Sequence, residues 1–181
     1  MSTDIKLTYA DYAALPEGAK YQLVEGDLVM SPAPDRRHQD IVRELTTLLW
    51  QCVRKRRLGI VYAAPTDVIL SDEDVVQPDV LFVSNARKSL LALEGVRGGP
   101  DLCVEVLSAR SRELDCRIKR RLYAKHGVIE YWIVDPDART VEVYRLQEDA
   151  KRPVATFRED DTLTSSMFPG LELRLPELFE Q

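Results

Sequence analysis

Apolar positions change their spacing along this chain, and each change marks an element. Ile41, Leu45, Leu48, Leu49 and Cys52 recur at helical spacing, which predicts one amphipathic helix from about Arg36 to Arg57, ending before Gly59. Ahead of it, Thr8 with Asp11 forms a capping-box pattern that opens a short helix, Tyr9 to Ala14, stopped at Leu15-Pro16. Tyr21 to Glu25 and Leu28 to Met30 flank Gly26-Asp27 as a hairpin, and Ser31-Pro32-Ala33-Pro34 breaks the pattern. Ile60 to Ala64 and Thr66 to Leu70 are extended, and a polar turn at Ser71 to Asp74 leads into one strand around Val75 to Val83. Ser84 to Pro100 is less regular, loosened by Gly95, Gly98 and Gly99.

Leu102 to Leu107 is the next strand. Ser108 or Ser111 caps a helix from about Arg112 to His126, and Gly127 stops it, with His126 as a C-terminal cation. Glu130 to Val134 and Thr140 to Leu146 pair across a turn at Asp135 to Ala138. The tail holds a strand at Val154 to Phe157, a Phe168-Pro169-Gly170 turn and a short helix from Leu175 to Phe179. With no repeat, low-complexity segment or linker, residues 1–181 read as one α/β domain: a mixed sheet with helices packed on it.

Two strands in this pattern each carry one misplaced carboxylate. Asp79 interrupts Val75 to Val83, and Glu105 interrupts Leu102 to Leu107. A buried, unpaired carboxylate costs several kcal/mol even after relaxation, so each needs a cation, a proton or a metal ion. Pro78 cannot donate to a sheet ladder, which puts its strand at an edge or bulges it and turns Asp79 outward. If the two strands are neighbours, both acids converge on one hard cation, and magnesium prefers such oxygen ligands. On the following helix Asp115, Lys119 and Tyr123 lie four residues apart in one stripe beside Leu114, Ile118 and Leu122. That stripe directs an ammonium toward the acids, where it would stabilise charge developing on a phosphate. Taken singly, each residue has a structural alternative. Pro-Asp pairs start turns, Glu105 can pair with an arginine, and Lys119 can simply pair with Asp115. His38 can cap or pack, and Tyr123 can pack. The ordered set is far more specific than any member.

Bulk composition narrows the class without naming it. The 181 residues suffice for one core, and 45% hydrophobic with 30% charged residues is ordinary for a globular protein. No apolar run approaches the ~20 residues of a membrane span, so no membrane association is expected. The start, Met1 to Lys6, has no secretory pattern. Cys52, Cys103 and Cys116 lack metal-ligand spacing and read as reduced packing residues of a cytoplasmic protein. The net charge of −5 argues against nonspecific wrapping of nucleic acid. Local charge differs: Arg54-Lys55-Arg56-Arg57 is a run of cations, and Arg110 to Lys125 holds seven cations against two acids. Arg110, Arg112 and Arg117 are therefore candidate phosphate contacts beside the acids, the alternative being solvated helix faces.

These residues carry a resemblance. Pro78-Asp79, then Glu105-Val106-Leu107-Ser108, then a displaced lysine resemble the PD-(D/E)XK nuclease superfamily. More closely, the chain resembles its Uma family of restriction-endonuclease-like proteins. That likeness extends through Leu15-Pro16-Glu17-Gly18, Met30 to Pro34 with His38, Val76 to Val80, Pro100 to Ser108, Gly127 to Pro136 and Phe168 to Leu171. It implies a restriction-endonuclease-like fold, a central mixed sheet flanked by helices, with an N-terminal helix and hairpin. It also implies Asp79 and Glu105 as ligands of Mg²⁺, with Mn²⁺ able to substitute. The superfamily's usual lysine position holds Leu107, and the Uma-like arrangement draws the lysine from the next helix, here Lys119. Glu25 matches an acidic position of the family, as an outer metal ligand or a hairpin-turn acid. His38 is an accessory candidate for phosphate or metal-water contact, and Tyr123 for orienting Lys119. The expected activity is hydrolysis of nucleic-acid phosphodiester bonds, with DNA the favoured substrate. A homodimer would suit cutting of both strands. The alternative is a catalytically idle nucleic-acid- or protein-binding module that retains the fold.

Overall fold

A computed structural model describes residues 5–16, 18–31 and 33–180. The readings that fall on Met1 to Asp4, Glu17 and Pro32 lie outside the described residues. In chain order the elements begin with α1 (Tyr9–Ala13), β1 (Tyr21–Val24), β2 (Asp27–Met30), α2 (Arg36–Arg56), β3 (Gly59–Ala63), β4 (Val68–Ser71), β5 (Asp74–Val76) and β6 (Val80–Ser84). A 3₁₀ turn (Asn85–Leu90), β7 (Leu91–Ala92), β8 (Gly95–Arg97) and β9 (Leu102–Val106) follow. A π-helical turn (Leu114–Lys119) runs straight into α3 (Arg120–Lys125). The chain closes with β10 (Glu130–Asp135), β11 (Thr140–Arg145), β12 (Ala155–Arg158), β13 (Thr162–Ser165), β14 (Phe168–Arg174) and α4 (Leu175–Phe179).

The central sheet has the order β12-β11-β10-β9-β6-β3. Only β9 and β10 pair in parallel, because the π turn and α3 cross over between them. Alternation along these strands makes two faces. One face (Val80, Phe82, Leu102, Val104, Val106, Trp132, Val134) packs under α2 through Ile41, Leu45 and Leu49, under the β13–β14 hairpin, and under α4. Phe168 of that hairpin meets Phe82 and Trp132 edge-on, with ring centroids 5.0 and 6.1 Å away. The other face (Leu81, Val83, Cys103, Tyr131, Ile133) shares a core with Leu122 and Tyr123 of α3. Val24, Val68, Val76 and Val96 complete that core from a second six-stranded sheet of order β2-β1-β5-β4-β8-β7.

The expected central mixed sheet is present, and this second sheet stands beside it. The segment expected as one strand, Val75 to Val83, is cut at Gln77 to Asp79, and its halves join different sheets. Pro78 therefore marks a crossing between sheets, and β6 lies inside the central sheet between β9 and β3, not at an edge. The N-terminal hairpin turns on Glu25-Gly26 instead of Gly26-Asp27: both have positive φ (51° and 77°), the requirement of a tight two-residue hairpin turn. Phe168-Pro169-Gly170 opens β14 instead of forming a turn. The long helix and the last helix stand where their periodicity places them, with Asp35 capping α2 by accepting from the His38 amide at 2.8 Å. The expected helix begins at Arg112 but winds as a π turn over Leu114–Lys119, its approach braced by Ser108 and Ser111 hydrogen-bonding each other.

Candidate active site

Antiparallel pairing of β6 with β9 matches Val80 to Val104 and Leu81 to Cys103. Continued by one residue, this register sets Asp79 across from Glu105, and cross-strand neighbours share a face. Asp79 leaves the ladder at that point, so its carboxylate is available to serve the neighbouring strand: Oδ2 accepts the Val106 amide at 2.7 Å. The first turn of α2 reaches the same end of the sheet, with His38 Nε2 3.2 Å from that oxygen. Burial pulls the His38 pKa down, but the hydrogen bond and charge of Asp79, helped by Asp35, outweigh it and raise it.

The π turn and α3 supply the opposite wall. Lys119 Nζ lies 2.9 Å from Glu105 Oε1 and 3.1 Å from Asp115 Oδ1, and Tyr123 donates its hydroxyl to Glu105 Oε1 at 2.8 Å. Tyr131 donates to the Asp115 carbonyl at 3.0 Å and ties the π turn to β10. Glu105, Asp115, Lys119 and Tyr123 are all at most 3% exposed. Burial pushes Glu105 up to about 8 against the pull of Lys119, and the charges of Asp115 and Asp79 push the same way. Lys119 resists its own burial because Glu105 and Asp115 hold its proton, and its pKa rises. Asp115 is the acid that sequence reasoning underrated. Its signal was present as the residue four before Lys119, but nothing in the sequence marked it as buried.

The structure thus brings Asp79, Glu105, Lys119, Tyr123 and His38 together. The other candidates stand apart. Glu25 projects from the β1–β2 turn, half exposed, and pairs with Arg121 at 2.5 Å on the outer side of α3. Arg112 is held by Asp135 at 2.7 Å, Arg117 pairs loosely with Glu113 at 3.7 Å in solvent, and Arg110 is exposed. His126 sits at the C-terminus of α3 as expected, 3.7 Å from Asp74, though burial, reinforced by Lys125, lowers its pKa.

The donor set suits a hard divalent ion. No group of three or more His, Cys, Asp or Glu side chains able to enclose a metal occurs among the described residues. Two facing carboxylates, with the Asp79 side chain 17% exposed, match an ion that keeps several waters and shares its substrate's oxygens.

Two mixed sheets sharing a core, with acids and a lysine gathered at one end of the central one, are the architecture of a restriction-endonuclease-like protein. Residues 9–176 match the Uma2 family, described as "Putative restriction endonuclease", and the chain belongs to that family. Among solved structures, a crystal structure of a "putative nuclease belonging to DUF820" from Anabaena variabilis is similar over 96% of this chain and 98% of that one. The TM-score is 0.80 at 23% identity, so the two share a fold. No curated protein matches this chain.

Proposed function

We propose that this protein is a Mg²⁺-dependent nuclease that hydrolyses phosphodiester bonds, with DNA as its substrate and Mn²⁺ able to replace Mg²⁺. The observation that carries this reading is a buried lysine locked between Glu105 and Asp115, directly beside the facing carboxylates Asp79 and Glu105. Asp79 and Glu105 would hold the ion, which when bound supplies Lewis-acid stabilisation of the phosphate. Lys119 keeps a fixed positive charge in a dry site, where it acts on a developing negative charge more strongly than in water. Tyr123 fixes the Glu105 carboxylate, and the Val106 amide with His38 fixes that of Asp79.

The test is a cleavage screen over duplex and single-stranded DNA and RNA with Mg²⁺ or Mn²⁺, run beside Asp79→Ala and Glu105→Ala. The expected result is metal-dependent cutting by the wild type alone. Absence of cutting on every substrate, or equal cutting by Asp79→Ala, defeats the reading. Calorimetric titration with Mn²⁺ separates this protein from an idle module, since the active site is expected to bind the ion and lose it in Glu105→Ala.

A further inference from the structure

Exposed positions of α2 include an unbroken stripe, Arg36, Gln39, Arg43, Thr47, Trp50 and Arg54, at spacings of three or four. No acid lies in it. Asp40 sits beside it and binds both Arg36 (2.8 Å) and Arg43 (2.7 Å), which holds those guanidinium groups along the helix. The stripe begins next to His38, at the candidate active site, and ends in four consecutive exposed cations, Arg54, Lys55, Arg56 and Arg57.

Those four differ from most arginines of this acidic chain. Arg37, Arg97, Arg112, Arg121, Arg139, Arg145 and Arg174 each have a carboxylate partner. Among the described residues, none of Arg54 to Arg57 has a carboxylate within ion-pair distance. Arg54 instead lies over the ring of Trp50, 4.8 Å from its centroid, and Trp50 is 45% exposed. Uncompensated charge beside an exposed aromatic plane fits nucleic acid, which offers phosphates to the first and bases to the second.

We infer that the outer side of α2 is the track on which the substrate's backbone lies as it leaves the active site, with Arg54 to Arg57 as a distal phosphate clamp. This rests on the nuclease reading above and adds a length to it. From His38 to Arg54 the helix rises about 24 Å, at ~1.5 Å per residue. A duplex covers that span in about seven base pairs at ~3.4 Å each. An acidic protein or an anionic lipid surface would meet the same charges, but neither carries that length requirement.

The experiment uses the full chain in EDTA, so that nothing is cut. Fluorescence anisotropy is read with duplexes of about 6 and about 16 base pairs across a salt series, either side of the ~7-base-pair span. Three proteins are compared: wild type, R54E/K55E, and R152E/R158E as a control with the same change in net charge elsewhere. The wild type is expected to bind the longer duplex at least tenfold more tightly, roughly the effect of adding a few phosphate contacts. R54E/K55E is expected to lose that gain, with the slope of log affinity against log salt shallower by about two. The control keeps both, and Trp50 fluorescence responds to the long duplex only. If R54E/K55E keeps the length gain, or the control loses as much, the track is wrong while the nuclease reading stands. Wild type that binds neither duplex overturns the track, while the nuclease reading is decided by the cleavage screen. Loss confined to binding of phosphatidylserine vesicles, without a length gain on DNA, reassigns the surface to lipid and overturns the track.

Discussion

Glu105 and Glu130 are both buried glutamates in adjacent, parallel strands of one sheet, at 3% and 4% exposure, yet they live in different chemistry. Glu105 faces an ammonium, a phenol and a second acid. Glu130 lies on the opposite face, at the other end of its strand, with the Ser165 hydroxyl donating at 3.1 Å as its nearest help. Both have raised pKa values, burial being the leading cause in each. An acid in an apolar strand is therefore no functional signature by itself. The counter-charge brought by a neighbouring element separates a site from a tolerated cost.

That comparison breaks most severely at Lys119. Lys119→Met leaves two acids buried without their cation and is expected to cost about 3–5 kcal/mol in a denaturant melt. A loss below about 1 kcal/mol would mean that the acids were never charged together. Asp79→Ala is expected to cost less, about 1–3 kcal/mol, for the Val106 amide left without its acceptor. On the proposed function its larger expected consequence is loss of cleavage, so urea denaturation and the nuclease assay should part company in this variant. Tyr123→Phe removes one of two donors to Glu105 while Lys119 remains, and about 1 kcal/mol is expected in the same melt.

The smallest effect has the opposite sign. Burial raises the Glu130 pKa above 4.5, so the folded state holds this proton more tightly than the unfolded chain. The group's contribution to stability is full below pH 4.5 and is lost as pH rises through the folded value. Glu130→Gln should therefore stabilise the fold at pH above the folded value, the gain fading as pH falls toward 4.5 and absent below it. Melts at a series of pH values check it, and a gain independent of pH would remove the distinction between the two glutamates.

Much of the site was legible because its chemistry conflicts with its local pattern. Asp79 and Glu105 stood out against β-branched neighbours, and a four-residue stripe put Lys119 and Tyr123 on one side of a helix. Glu130 escaped notice because it opens its strand, where a polar residue looks like a boundary. The second sheet was hidden for a related reason. β5 has three residues and β7 two, too short for alternation to declare itself, and β5 joins the sheet through a distant partner, Val75 opposite Leu23 of β1. Pro78 suggests an edge strand or a bulge, because the apolar pattern runs on across it while the chain changes sheets. The π turn is invisible to period counting, since Asp115 and Lys119 lie on one side in either kind of helix.

The same π turn makes chain length part of the site. A π turn holds one more residue than the α turn it replaces. Inserting one further residue between Asp115 and Lys119, beyond the one the π turn already absorbs, would swing everything upstream by about 100° relative to Lys119. Asp115 would leave the lysine, and the Ser108–Ser111 brace would be dragged with it, although no charged side chain had been exchanged. Register here is as binding a requirement as residue identity: a variant library of this segment should accept swaps of its outward-facing residues and reject additions to its count.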